Sequence, residues 1–311
     1  VADTAGVTAP RQVVPGRTLF ITRRCTQRQF LLLPEKKVVD AVEYCLAEAA
    51  LRTGVTLHAW RQMTNHFHML IRDNEGRYPE FLAHFHKLVA KVLNAHWGRS
   101  ENFWSNAQPS VVWAVTRDDA FDKLVYLLAN PVAADLVERA TEWPATGSLE
   151  QNTSAEPLGK VLTRPDYFRK TGPMPEKVVL TAERIGGFEE LTSDEWAAKV
   201  RKAVREAEVT ARDLRRRERR TVLGVRAVMR AKHTDTPKSP ARRTTLFPHI
   251  ACRDVALCKE QLAALAAFRY AHRNALRRLC AGEKGVVFPP GTYRVRLFGV
   301  RCADSKPRRV S

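Results

Sequence analysis

The triplet His-Phe-His occurs twice, at 66–68 and at 84–86, and the two copies differ in what they can do. The first lies in Thr64-Asn65-His66-Phe67-His68-Met69-Leu70-Ile71-Arg72, an apolar stretch that predicts a β-strand. Residues two apart in a strand point to the same face, so both imidazoles can reach one cation. The second copy lies in Phe81-Leu82-Ala83-His84-Phe85-His86-Lys87-Leu88-Val89, which reads as a helix. Positions two apart on a helix sit roughly 200° apart, on opposite sides. One triplet is therefore a candidate ligand pair and the other two separate histidines.

Further along, Phe121-Asp122-Lys123-Leu124-Val125-Tyr126-Leu127-Leu128-Ala129-Asn130-Pro131 reads as a helix. Tyr126 and Asn130 are one turn apart on it and share a face. If that face lies against the histidine strand, two imidazoles, an amide oxygen and a phenol converge. Two imidazoles and an amide oxygen suit Mg²⁺ or Mn²⁺ better than a closed zinc site. The ion would polarise a scissile phosphate, and the phenol could attack it to form a covalent phosphodiester. A phenol titrates near ~10 when free, so the site must favour its anion or take its proton. Each residue also has a plain structural reading: strand histidines, a rim tyrosine, an Asn that ends a helix before Pro. Their joint order favours the chemical one.

The elements that must position these groups can be traced in sequence. A strand is expected near 18–23, then a helix opened by Pro34-Glu35 and ended by Gly54. A strand over 55–60 turns tightly into the histidine strand, and Asp73-Asn74-Glu75-Gly76 is a turn. A helix over 79–97, a strand over 110–115 and a helix from Asp118 and Asp119 to Asn130, stopped by Pro131, complete the series. The order β-α-β-β-α-β plus a helix predicts a ferredoxin-like α+β domain: an antiparallel sheet with helices on one face and the second and third strands central. Residues 1–150 form this domain, with 1–16 as a flexible arm carrying Arg11. Residues 151–190 read as a linker, and 191–311 as a basic, mainly helical extension. Within it, a helix capped by Ser193 runs to about Arg220, and residues 221–232 could form a helix-turn-helix-like unit. A basic loop follows at 238–243, then a helix over 254–279, then a turn and strand at 288–296.

At this point the chain resembles the single-tyrosine HUH transposases, specifically the REP-associated tyrosine transposases. Five segments carry the resemblance: His58-Ala59-Trp60, Asn65-His66-Phe67-His68-Met69-Leu70, Phe103-Trp104, Tyr126-Leu127-Leu128-Ala129-Asn130-Pro131-Val132, and Glu142-Trp143-Pro144-Ala145-Thr146-Gly147-Ser148. It covers about residues 10–150. It implies a ferredoxin-like catalytic domain that cleaves single-stranded DNA, leaving a 5′-phosphotyrosine and a free 3′-hydroxyl. Carried over, Tyr126 is the nucleophile, and His66, His68 and Asn130 are the metal ligands for Mg²⁺ or Mn²⁺. The sequence departs from the pattern in having Asn130 where related transposases place Gln, and Thr64 where Pro is usual.

Bulk composition agrees with a polyanionic partner. The 311 residues include 52 Lys and Arg against 33 Asp and Glu, a net charge of +19. Hydrophobic residues make up 44 %, enough for a real core. Charge this large favours nucleic acid, and no long apolar span favours a membrane. The first residues lack the pattern of a signal peptide, and the six cysteines form no Cys-x-x-Cys pair, so a reduced cytoplasm is expected. Candidate phosphate contacts are Arg23, Arg24 and Arg28 beside the sheet, and Arg215, Arg216, Arg217, Arg219, Arg220, Arg226, Arg230, Arg242 and Arg243 in the extension. Trp60, Trp104 and Trp113 could stack on unpaired bases. The function expected is a transposase-type single-strand endonuclease and strand transferase acting on hairpin-forming repeat DNA. The alternatives are a basic DNA-binding regulator with the same fold but no turnover, and a metal-dependent phosphodiester hydrolase. Sequence leaves open whether the protein is a monomer or a homodimer.

Overall fold

The computed structural model describes residues 9–239 and 249–303. The elements that carry the sheet are β1 (Arg17–Arg24), α1 (Lys36–Thr53), β2 (Thr56–Gln62), β3 (His66–Asp73), α2 (Tyr78–His96), β4 (Ser110–Ala114) and α3 (Arg117–Ala133). After them come α4 (Leu149–Thr153), β5 (Lys160–Thr163), β6 (Lys177–Leu180), α5 (Ser193–Arg217), α6 (Val225–Arg230), β7 (Ile250–Ala251) and α7 (Val255–Cys280). The fold is α+β, as the order of elements predicts.

Two details of the sheet differ from expectation. Its order is β2-β3-β1-β4-β7, so the β2–β3 hairpin is not central: β3 is internal and β2 lies at an edge. The α1 crossover leaves a gap between β1 and β2 that β3 fills by pairing antiparallel with both. The β2 edge is covered by the segment around Gly147, with Gln62 N–H donating to Thr146 O and Ser148 N–H to Trp60 O. At the other edge β7 pairs parallel with β4, which makes the sheet mixed rather than antiparallel.

Helices also cover both faces, not one. Alternation along β1 and β3 sends Leu19, Ile21, Phe67, Met69 and Ile71 to one face, under α1 and α2. Phe20 and Leu70 point to the other, with Ala59 and Val112, where Leu124, Leu127 and Leu128 of α3 and Trp196, Val200 and Val204 of α5 cover them. Both faces of the strands are apolar, so both need a lid.

α3 starts from a capping box, in which the Thr116 hydroxyl accepts from Asp119 N–H and the Asp119 carboxylate accepts from Thr116 N–H. It does not stop before Pro131. The proline removes only the bond to the Leu127 carbonyl, and the helix holds its last turn because Ala134 N–H reaches Asn130 O at 2.9 Å.

Other expectations shift locally. Residues 9–16 are fastened rather than free: Val13 is buried and its N–H donates to Gly291 O. Residues 151–190 contain the β5–β6 hairpin, docked on α1 through an ion pair of Lys160 with Glu43 at 2.6 Å. Thr192, not Ser193, caps α5, because its hydroxyl accepts from Glu195 N–H. α6 is a six-residue helix anchored by buried Val228, and as the single helix within residues 221–232 it does not make the expected helix-turn-helix-like unit there. The expected strand at 288–296 is instead a single bridge from Phe288 to Cys302 followed by a 3₁₀ turn over Val295–Phe298. Pro289 and Pro290 have no N–H to offer a ladder. Among the described residues Cys25, Cys45, Cys252, Cys258 and Cys280 are free thiols, and no helix is long and apolar enough to cross a membrane.

Candidate active site

His66 and His68 lie on the face of β3 that α3 covers, with ring centroids 4.6 Å apart and planes nearly perpendicular. The register explains their surroundings. Thr22 of β1 stands opposite His68, and its Oγ1 shares a 2.8 Å hydrogen bond with His68 Nδ1. Phe20, two residues back on the same face, stacks on the His68 ring at 5.4 Å. In the tautomer whose Nδ1–H donates to Thr22, His68 Nε2 holds a lone pair, and that nitrogen is buried without a protein partner.

His66 is oriented from the other side. Its Nδ1–H donates to Asn65 Oδ1 at 2.7 Å, and the Asn65 amide is itself fixed by donating to the Arg28 carbonyl at 3.1 Å. The amide oxygen can only accept, so Nε2 of His66 carries its lone pair too. Burial, with a smaller effect from Arg24, pushes His66 down to about 4. Burial and then the charge of His66 push His68 well below the ordinary imidazole range. Both rings are neutral at physiological pH, as ligands must be.

Tyr126 completes the convergence. Its ring lies 6.0 Å from the His68 ring and 5.8 Å from Phe20, edge-on to both. It is 50 % exposed, although its neighbours Leu127, Leu128 and Ala129 are buried. The phenol ring is therefore half-exposed beside the His68 imidazole. Asn130 is buried one turn further along α3. No His, Cys, Asp or Glu completes a three-residue metal cluster among the described residues. A divalent ion here would be held by two imidazoles, with Asn130 or solvent supplying the remaining oxygen donors. The orphaned, neutral Nε2 of His68 fits that role.

The second triplet diverges as its helical spacing requires. His84 Nε2 meets Glu48 Oε2 at 2.5 Å, whereas His86 is buried 5.1 Å from the Trp104 ring.

The arginines fall into distinct settings. Arg24 is exposed and stands opposite His66 in the β1–β3 register. Arg23 points to the other face, where its guanidinium lies 5.8 Å from the Trp104 ring and donates to the Ala107 carbonyl. Arg28 donates to the Ser239 carbonyl at 2.6 Å. Arg215 is buried and ion-paired with Glu138 at 2.8 Å and Asp135 at 3.6 Å. Arg220 pairs with Asp135 and with Glu218. Arg216 reaches Asp213 at 3.7 Å; Arg217, Arg219, Arg226 and Arg230 are exposed. Arg242 and Arg243 lie outside the described residues. Trp60 and Trp104 are core residues, so stacking on a base is left to half-buried Trp113, which already carries the Arg17 guanidinium at 3.9 Å.

Four residues near the site escaped the sequence reading. Thr22 and Asn65 orient the imidazoles. Lys123, one turn before Tyr126, places its ammonium 5.7 Å from the Phe20 ring. Its i−3 spacing from Tyr126 was a usable signal. Arg61 is buried opposite His68 in the β2–β3 register and donates to the Leu128 carbonyl at 3.0 Å, tying β2 to the tyrosine helix. Burial alone lowers it to about 10.

No family model matches the chain, and neither does any curated protein. Among solved structures it is similar to a REP-associated tyrosine transposase bound to a REP hairpin, at 16 % identity and a TM-score of 0.41, over 47 % of this chain and 85 % of that one. It is also similar to a protein of Deinococcus radiodurans R1 assigned as a transposase, at 21 % identity and a TM-score of 0.27, over 34 % of this chain and 85 % of that one.

Proposed function

We propose that this protein is a transposase-type single-strand DNA endonuclease and strand transferase that works through Tyr126. The observation that carries the reading is the half-exposed phenol ring, 6.0 Å from the ring of buried, neutral His68, which stands beside half-buried His66. In the proposed reaction Tyr126 Oη attacks the scissile phosphorus and loses its proton to solvent. The bond from phosphorus to the 3′-oxygen breaks, and the DNA 3′-end leaves as a hydroxyl after taking up a proton. A 5′-phosphotyrosine remains, which a second 3′-hydroxyl can attack to rejoin a strand. A bound Mg²⁺ or Mn²⁺ would polarise the phosphate and orient it for in-line attack.

This chain's own residues supply the rest. His66 and His68 would hold the ion, with Asn130 as an oxygen donor. Thr22 and Asn65 fix the ring orientations. Lys123 and Arg24 would draw in the phosphate. The proposed substrate is single-stranded DNA beside a hairpin, supported by the net charge of +19 and by the sequence motifs.

The test is a suicide oligonucleotide carrying a hairpin, incubated with Mn²⁺ and resolved by denaturing electrophoresis. A covalent protein–DNA conjugate is expected from the wild type and none from Tyr126→Phe. Cleavage that persists in Tyr126→Phe would make water the nucleophile and the protein a metal-dependent hydrolase. Hairpin binding with no cleavage by the wild type would leave a DNA-binding regulator.

A further inference from the structure

A second basic cavity opens away from the histidine pair, where residues 11–14, the β1–β4 side of the sheet and α7 meet. Its walls include Arg11, Arg17, Arg269, His249 and Trp113, and no carboxylate lines it among the described residues. Its volume is about 60 Å³. That is room for roughly four to six waters, comparable with the bulk of a phosphate group.

The guanidiniums are held in place with donors to spare. Arg17 stacks on Trp113 at 3.9 Å and donates to Gln12 Oε1 at 3.1 Å. Arg11 donates to the Pro109 carbonyl. Arg269 has its Nε buried with no partner. Buried or half-buried cations are normally paired with anions, because removing a charge from water is costly. Here burial pushes Arg17 down to about 10, against a smaller upward effect of the Tyr78 phenol, and lowers Arg269 as well, with no carboxylate among the causes for either. Burial, then the like charges of Arg269 and Arg11, lower His249 as well. Three guanidiniums that face one cavity without a counter-ion lack an anion, and their forked donors match phosphate oxygens.

We infer that this cavity is a phosphate-binding site, distinct from the imidazole pocket, whose ligand bridges the amino-terminal segment, the sheet and α7. The phosphate could belong to a nucleic-acid backbone or to a small phosphate compound, and the chemistry of recognition is the same. Binding does not depend on the cleavage reaction, so it can be measured in the full-length Tyr126→Phe protein.

Two readouts test it in that background: thermal unfolding with inorganic phosphate against chloride at matched ionic strength, and anisotropy of labelled oligothymidine over a salt series. Phosphate should raise the unfolding temperature of the parent and not of Arg17→Gln or Arg269→Gln. If the source is DNA, each substitution should also weaken oligothymidine binding and flatten its log–log salt slope by about 0.7, the loss of one single-strand phosphate contact. If the source is a small phosphate, only the thermal response should vanish. Equal responses of parent and variants in both readouts would overturn the proposal. Should Arg17→Gln unfold the protein, Arg269→Gln on the largely solvent-facing α7 decides alone.

Discussion

At the residue scale the site rests on which imidazole nitrogen is free. Asn65 and Thr22 each occupy an Nδ1, and this leaves the Nε2 atoms to serve a ligand. Removing such an orienting partner typically weakens metal affinity by about 10–100-fold without removing a ligand. Asn65→Ala should therefore raise the Mn²⁺ concentration needed for half-maximal conjugate formation by that factor, while saturating Mn²⁺ restores the yield. A yield that stays low at saturation would assign Asn65 some other role. Tyr126→Phe removes one half-exposed hydroxyl and should leave the urea midpoint within about 0.5 kcal/mol of wild type. Loss of conjugate in that variant then reports chemistry rather than folding.

At the scale of elements, β3 and α3 must stay in register for the phenol to reach the histidines. Arg61 is one of the ties, since it leaves β2 and donates to a carbonyl of α3. Gly147 is what gives its guanidinium room: a Cβ there would lie 2.5 Å from Arg61 Nη1. Because Arg61 is fully enclosed, the clash cannot be relieved by swinging into solvent. Gly147→Ala should destabilise the protein by about 1–3 kcal/mol in urea unfolding, and conjugate formation should fall further than the loss of folded protein explains. An unchanged midpoint would show that the β2 edge yields more easily than its packing suggests.

Over the whole molecule, several histidines are buried neutral. Burial, then a smaller push from Arg23, brings His86 down to about 3, and burial brings His58 down to about 4. Above the ordinary value of 6.5 both folded and unfolded chains are neutral at these positions, so they contribute no pH dependence. Between 6.5 and the folded values only the unfolded chain binds the proton, and stability falls as pH falls. Each group contributes a slope of about 1.4 kcal/mol per pH unit across that window. His86→Leu should remove about one proton from the slope between pH 4 and 6, measured as urea unfolding free energy against pH. An identical slope in the variant would mean that His86 is protonated in the folded protein.

The local layout was legible because it follows from short-range rules. Alternation in His66-Phe67-His68 sends the imidazoles to one side, helical spacing separates His84 from His86, and Asp118 with Asp119 marks the start of the tyrosine helix. Long-range partners were not legible. That β2 lies at an edge, that α5 closes the second face, and that Arg215 turns inward to Glu138 all depend on residues far apart in the chain. The continuation of α3 through Pro131 likewise needed packing that outweighs one lost hydrogen bond. By itself the sequence determined which side chains share a face of each strand or helix, since backbone periodicity sets that within a few residues. Only the tertiary structure decided which faces meet, because pairing β3 against β1 and laying α3 across them is a choice among surfaces of similar hydrophobicity.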